Sequence, residues 1–181
     1  MAARILLTGT PGCGKTTLVR RVVEQLRHLR LAGFITQELR SDDGKRIGFE
    51  AIGLNGGSTM LANVKSGSRI RVGKYGVELP RFEELIGSEL QRPGSEVDLF
   101  VVDEVGKMEC FSPLFVEQME VLLDGSTPLL ATVAIKGSGF IAQIKQRADV
   151  ELLEVTSHNR DELVDKLAER LRHAIVRRWP T

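Results

Sequence analysis

Aromatic residues are scarce in this 181-residue chain: one Trp, one Tyr and seven Phe make up 5% of it. That removes the stacking platforms on which single-stranded nucleic acids usually lie. An excess of one charge is missing too. Lys and Arg number 25 against 24 Asp and Glu, a formal net charge of +1, so no global field draws in polyanions and nucleic acid is not a supported partner. The two cysteines, Cys13 and Cys110, are too few for a disulfide framework, and no neighbours complete a metal-ligand spacing, so a structural zinc site is not expected. No apolar run approaches the roughly 20 residues that cross a bilayer. The opening MAARILLTGT has three consecutive apolar residues, Ile5 to Leu7, too few for a signal-peptide core; no membrane contact and a cytoplasmic location are expected.

What is present is an ordinary folded composition, 42% hydrophobic and 27% charged. The length suits one domain spanning 1–181 with a real core. Ile5-Leu6-Leu7 reads as a short strand, ended by Thr8-Gly9. Beyond a glycine-rich stretch, Leu18, Val19, Val22, Val23, Leu26 and Leu29 recur at helical spacing. Residues 33–36 and 47–52 read as strands around the polar turn Ser41-Asp42-Asp43-Gly44-Lys45, a hairpin. Short strands and turns continue to Val77, so 32–78 reads as a β-rich insertion within the domain. Pro80 opens a helix, and Val97 to Val102 is an apolar strand of the kind buried on both faces of a parallel sheet. Ser112-Pro113 starts another helix, Leu129 to Ile135 another strand, and Ile141 and Ile144 a short helix. Val150 to Val155 is the last strand, and Leu163, Leu167, Leu171 and Ile175 line a C-terminal helix. Alternating β and α segments imply an α/β sandwich on a largely parallel sheet.

Gly9-Thr10-Pro11-Gly12-Cys13-Gly14-Lys15-Thr16 fits G-x-x-x-x-G-K-[ST] between the first strand and the first helix. A chance match in a chain this long is on the order of 1% at background residue usage, and the strand–helix context lowers that further. Glycines let successive N–H groups turn inward around phosphate oxygens, and the helix N-terminus adds its positive end. Lys15 is then the mobile charge for the β and γ phosphates, and Thr16 the hydroxyl for a magnesium ion; Thr17 follows in the first helical turn. Cys13 sits at a variable position of the loop, where small-residue packing outweighs a redox role.

Leu99-Phe100-Val101-Val102-Asp103-Glu104 has the form of a second phosphate-site element, an apolar strand ending in two acids. Asp103 is the candidate for the metal's shell. Strand parity sends Asp103 and Glu104 to opposite sides, so a turn after Asp103 is expected to aim Glu104 at the γ-phosphate as a general base for water.

With these residues in view, the chain resembles the small P-loop nucleoside-triphosphatase family, known from thermophiles and, in animals, as cancer-related nucleoside-triphosphatase. The resemblance covers nearly the whole sequence. It extends through Gly33 to Glu38 with Arg40, Arg46 to Phe49, Arg71 to Val77, Asp103-Glu104-Val105-Gly106-Lys107-Met108-Glu109, and Thr156 with Asn159-Arg160. It implies a RecA-like three-layer α/β fold, nucleotide contacts from Gly9 to Thr16 and from Leu99 through Val105 and Gly106, and a slow, magnesium-dependent conversion of nucleoside 5′-triphosphates to diphosphates and phosphate. The base tolerance it implies is broad, so that ATP, GTP, CTP and UTP are the expected substrates of a monomer.

Several basic residues stay open between two readings. Lys107 contacts the γ-phosphate or pairs with Glu109. Arg69, Arg71 and Lys74 lie in the insertion, where one of them either brings a charge to the transition state or simply meets solvent. Asn159 and Arg160 edge a base pocket, or Ser157 and Asn159 merely cap the last helix. Two rival functions also fit a glycine loop: a nucleotide or metabolite kinase, and an RNA-associated nucleotide switch.

Overall fold

The computed structural model of the chain describes residues 3–178; Met1, Ala2 and 179–181, the ends of the expected 1–181 span, lie outside the described residues. The chain runs β1 (Arg4–Thr8), α1 (Lys15–Gln25), β2 (Leu31–Arg40), β3 (Arg46–Gly53), β4 (Ser58–Asn63), β5 (Arg71–Val72) and β6 (Tyr75–Val77). It continues through α2 (Leu79–Glu89), β7 (Leu99–Val105), α3 (Pro113–Asp124), β8 (Leu129–Val133), α4 (Phe140–Lys145), β9 (Glu151–Glu154) and α5 (Arg160–Arg178). All the strands join one sheet, in the order β5-β6-β4-β3-β2-β7-β8-β1-β9. From β2 to β9 the neighbours are parallel; from β2 outward to β5 they are antiparallel.

Period-two alternation divides the core between the two faces of this sheet. Ile5 and Leu7 of β1, with Leu99 and Val101 of β7, face α1 and α5, where Leu18, Val19 and Val22 meet Val164, Leu167 and Leu171. Leu6, Phe100, Val102 and Val105 face α2, α3 and α4. On that side Phe34 of β2 stands edge-on to Phe82 of α2 and Phe115 of α3, with ring centroids 5.5 and 6.1 Å away. Each such ring, fully buried, contributes roughly 1.5–3 kcal/mol. Helix starts follow the sequence: Pro80 lies in the first turn of α2, and the Ser112 hydroxyl accepts from the Phe115 N–H at 3.1 Å to cap α3. The result is a three-layer α/β sandwich.

Two boundaries differ from the sequence reading. The insertion does not begin at residue 32, because Leu31 to Ile35 of β2 pair in parallel with Leu99 to Asp103 and belong to the central sheet. The reason is burial: Ala32 and Phe34 pack on one face and Ile35 on the other, whereas Gln37, Glu38 and Arg40 are exposed. Strand β8 ends at Val133 rather than Ile135, since the Lys145 ammonium draws the Ala134 and Ile135 carbonyls out of the ladder at 3.1 Å each.

One buried side chain ties the antiparallel half to the parallel half. Glu89, at the end of α2, accepts from the Gly33 N–H at 3.1 Å, the Asn55 N–H at 3.0 Å and the Asn55 side-chain amide at 2.9 Å. Removing the acceptor strands three donors, two of them main-chain. Glu89→Ala is therefore expected to lower the unfolding free energy by about 2 to 4 kcal/mol in urea titrations; a loss under about 0.5 kcal/mol would show that these donors find other partners.

Candidate active site

The glycine loop occupies the C-terminal edge of the parallel sheet, between the end of β1 and the start of α1. Gly9 has φ +153°, and a Cβ there would come within 2.4 Å of the Val155 carbonyl oxygen and 2.8 Å of the Cys13 sulfur. No other residue type satisfies both the angle and the approach. The Cys13 N–H donates to the Thr10 carbonyl at 3.1 Å, which closes the turn, while the Cys13 side chain is buried in the apolar layer beneath. Packing, not solvent access, describes that thiol. Gly14 caps α1 with φ +105° and no side-chain acceptor, so the first amides of the helix remain available to an anion. Thr10, Pro11, Gly12 and Thr17 are exposed around the rim. The Lys15 ammonium folds back to the Gly9 carbonyl at 2.9 Å.

Strand order brings the acids to this loop. β8 lies between β1 and β7, so Asp103 at the end of β7 is reached across a single strand. The Thr132 hydroxyl on β8 donates to Asp103 Oδ1 at 2.6 Å, and the Thr16 hydroxyl lies near enough to favour the charged carboxylate. Asp103 Oδ2 is buried without a partner. Burial pushes the Asp103 carboxyl above its ordinary range, opposed by the two hydroxyls and the Lys15 charge. Glu104 is raised as well, by burial first and then by the Asp103 charge, with Lys15 opposing.

The expected turn after Asp103 is not there. β7 continues to Val105, with Val102 opposite Ala131 and Val105 opposite Val133, so one extra residue is accommodated as a bulge. A bulge resets side-chain parity without ending the strand, and that separates Glu104 from Asp103. The Asp103–Glu104 peptide is cis.

Glu109 is the site carboxyl that the residue types alone did not single out. It begins a 3₁₀ turn (Glu109–Phe111) after β7, is buried, and its Oε2 accepts from the Gly106 N–H at 3.1 Å. A Cβ on Gly106 would lie 2.8 Å from Glu109 Oε2 and 3.1 Å from Glu104 Oε1, so both carboxyls converge on that glycine. Burial and the Glu104 charge push Glu109 up to about 8. The only sequence signal was a return spacing of three residues to a glycine, which a tight turn can close. Lys107 is exposed, and the alternative pairing with Glu109 does not form; it makes no ion pair among the described residues.

Arg69, Arg71 and Lys74 stand apart from the loop. β5 is the outermost strand, five steps from β7, or about 24 Å at 4.7–4.9 Å per step. Arg71 donates to the Ser66 and Lys74 carbonyls, and the Lys74 ammonium lies 5.4 Å from the centre of the Tyr75 ring. Asn159 and Arg160, by contrast, flank the loop. The Asn159 side chain is occupied with the Thr156 N–H at 2.8 Å and the Glu154 carbonyl at 2.9 Å, not with the first amides of α5.

A nucleotide loop at the end of β1, facing an acid-bearing strand across one intervening strand, defines a RecA-like P-loop NTPase. A family model described as NTPase matches residues 4–168, and the chain belongs to that family. Nucleoside-triphosphatase THEP1 of Thermotoga sp. (strain RQ2) is 41% identical over 164 residues, which covers 91% of this chain and 92% of the relative. The cancer-related nucleoside-triphosphatase homolog of Mus musculus is 37% identical over 181 residues, covering 91% and 94%. Among solved structures, the crystal structure of THEP1 from the hyperthermophile Aquifex aeolicus matches with a TM-score of 0.84 at 33% identity, covering 93% of this chain and 98% of that one. The solution structure of a human cancer-related nucleoside triphosphatase gives 0.80 at 34% identity, covering 95% and 98%.

Glu109 supplies a pH signature. Folded, it holds its proton up to about pH 8; unfolded, it releases it near 4.5. The folded state binds the extra proton between these values, so the stability present below pH 4.5 is lost as pH rises through 8. Glu109→Gln removes that loss. In urea unfolding at pH 5, 6.5 and 8 the variant should gain on the parent chain with rising pH, by up to roughly 1 kcal/mol per pH unit; a difference independent of pH would refute the buried titration.

Proposed function

We propose that this chain hydrolyses the β–γ phosphoanhydride of nucleoside triphosphates, ATP, GTP, CTP and UTP among them, to the diphosphate and phosphate in a magnesium-dependent reaction. The observation that carries the reading is the meeting of Lys15, Thr16, Asp103 and Glu104 at one edge of one sheet. One chain supplies all four groups, so a monomer suffices. The proposed setting is cytoplasmic; no helix among the described residues is long and apolar enough to cross a membrane.

Triphosphate oxygens accept from the main-chain amides of residues 9–16, with the helix dipole behind them. Lys15 exchanges the Gly9 carbonyl for the β and γ phosphates. Thr16 and Asp103 fit a magnesium ion: the buried Asp103 Oδ2 without a partner, beside a hydroxyl, is the sparse donor set that ion takes when phosphates and water complete its shell. When bound, the ion neutralises charge on the phosphate oxygens. Glu104 orients water for in-line attack and takes its proton, while a raised affinity for protons brings the carboxyl closer to the operating pH.

Phosphate release from the purified chain, with magnesium and nucleotide and no acceptor added, tests the reaction; a phosphotransferase that needs an acceptor would be nearly silent. Lys15→Ala should weaken nucleotide binding and abolish turnover. Glu104→Gln should keep binding and slow turnover by about 10² to 10⁴. Full activity in Glu104→Gln would remove water activation by this residue.

A further inference from the structure

The site is polar along the sheet edge. Glu104 and Asp103 lie on the β7 side of the glycine loop, so a triphosphate whose terminal phosphate is within reach of Glu104 must direct its nucleoside toward the opposite flank, beside β9 and α5. That flank is built by residues 155–160, which meet the loop at both ends. The Val155 carbonyl closes on Gly9, and the Arg160 side chain lies across Gly14, with its Cδ and one terminal nitrogen each 2.8 Å from where a Cβ would stand.

The segment is held before any ligand arrives. The Thr156 N–H donates to Asn159 Oδ1 at 2.8 Å, the Asn159 N–H returns to the Thr156 hydroxyl at 3.3 Å, and the Arg160 N–H donates to the Thr156 carbonyl at 3.2 Å. Helices α1 and α5 also run side by side in the same direction, Arg21 bonding Asp161 and Gln25 bonding Asp165 at 2.7 Å. These pairs fix the first turn of α5 beside the middle of α1, and the Arg160 side chain reaches from there back to Gly14. The Arg160 side chain is 39% exposed and its Nε stands 4.0 Å from the Asp161 carboxylate, the outer limit of an ion pair. No Phe, Tyr or Trp occurs between residues 151 and 160 to offer a flat surface there. A guanidinium is planar and stacks on ring systems.

We propose that Arg160 is a nucleotide-binding residue whose guanidinium, laid beside Gly14, stacks on the nucleobase. The assignment rests on the hydrolase reading for the direction of the triphosphate. Stacking engages a face that every base has, so it contributes affinity without selecting among bases.

Binding of ATP, GTP and inorganic tripolyphosphate, each with magnesium, is measured on the full chain and on Arg160→Ala and Arg160→Lys. Thermal melting checks that each variant is folded. Arg160→Ala should weaken ATP and GTP by similar factors, about tenfold, and leave tripolyphosphate unchanged. Arg160→Lys keeps the charge and loses the plane, so it should not restore nucleotide binding. Three results would overturn the assignment: unchanged nucleotide affinity in Arg160→Ala, an equal loss for tripolyphosphate, or recovery by lysine. The last two would mark a phosphate contact, and the lysine result decides even where tripolyphosphate binds too weakly to measure. Failure of the underlying reading looks different, since the parent chain would then release no phosphate from ATP and magnesium alone, whatever the Arg160 variants bind.

Discussion

A carboxyl at the end of a buried parallel strand loses its water and must find hydrogen bonds or opposite charge among its neighbours. Asp103 finds a hydrogen bond from Thr132 on the adjacent strand, with the Thr16 hydroxyl and the Lys15 charge at the start of the first helix nearby. Satisfying that one group fixes how far the glycine loop stands from the acid-bearing strand. The bulge after Val102, the placement of β8 between β1 and β7, and the packing of α1 on the sheet serve the same separation. Oδ2 alone is left without a hydrogen-bond partner.

Much of this arrangement was legible in the residue pattern. The glycine loop, the apolar strand ending in Asp103-Glu104 and the order of β and α segments all depend on local periodicity and turn chemistry, which sequence carries directly. What was not legible depends on tertiary contact. Glu109 looks like a surface acid until a tight turn folds it under Gly106, because burial is decided by what packs above the turn. The dual nature of β2 was hidden for a related reason: an apolar half and a polar half in one strand can be read as core or hairpin, and only pairing with β7 separates them. Arg69, Arg71 and Lys74 were candidates through charge alone, and charge says nothing of distance across a sheet.

The antiparallel half has a cohesion of its own. Arg46 spans it, its guanidinium 5.2 Å from the Phe49 ring centre and 5.9 Å from that of Tyr75, while Nε donates to the Tyr75 hydroxyl at 3.1 Å and a terminal nitrogen pairs with Glu38. Few aromatic residues are available, and here two of them are shared with one cation. Glu89 then transmits the position of this half to β2, whose inner end lines up with the acid-bearing strand. The sheet is continuous mechanically as well as in its hydrogen bonding.

The two rims of that sheet are both short, two residues in β5 and four in β9. A rim exposes unpaired amides and carbonyls, and a long flat one would template the addition of strands from other molecules. Here β5 leaves room for little more than one pair of bonds, and β9 carries Glu151 and Glu154, the former clasped by Arg170 from the overlying helix. The nine-stranded sheet of the described residues is thus guarded against lateral growth by brevity at one margin and by brevity and charged side chains at the other.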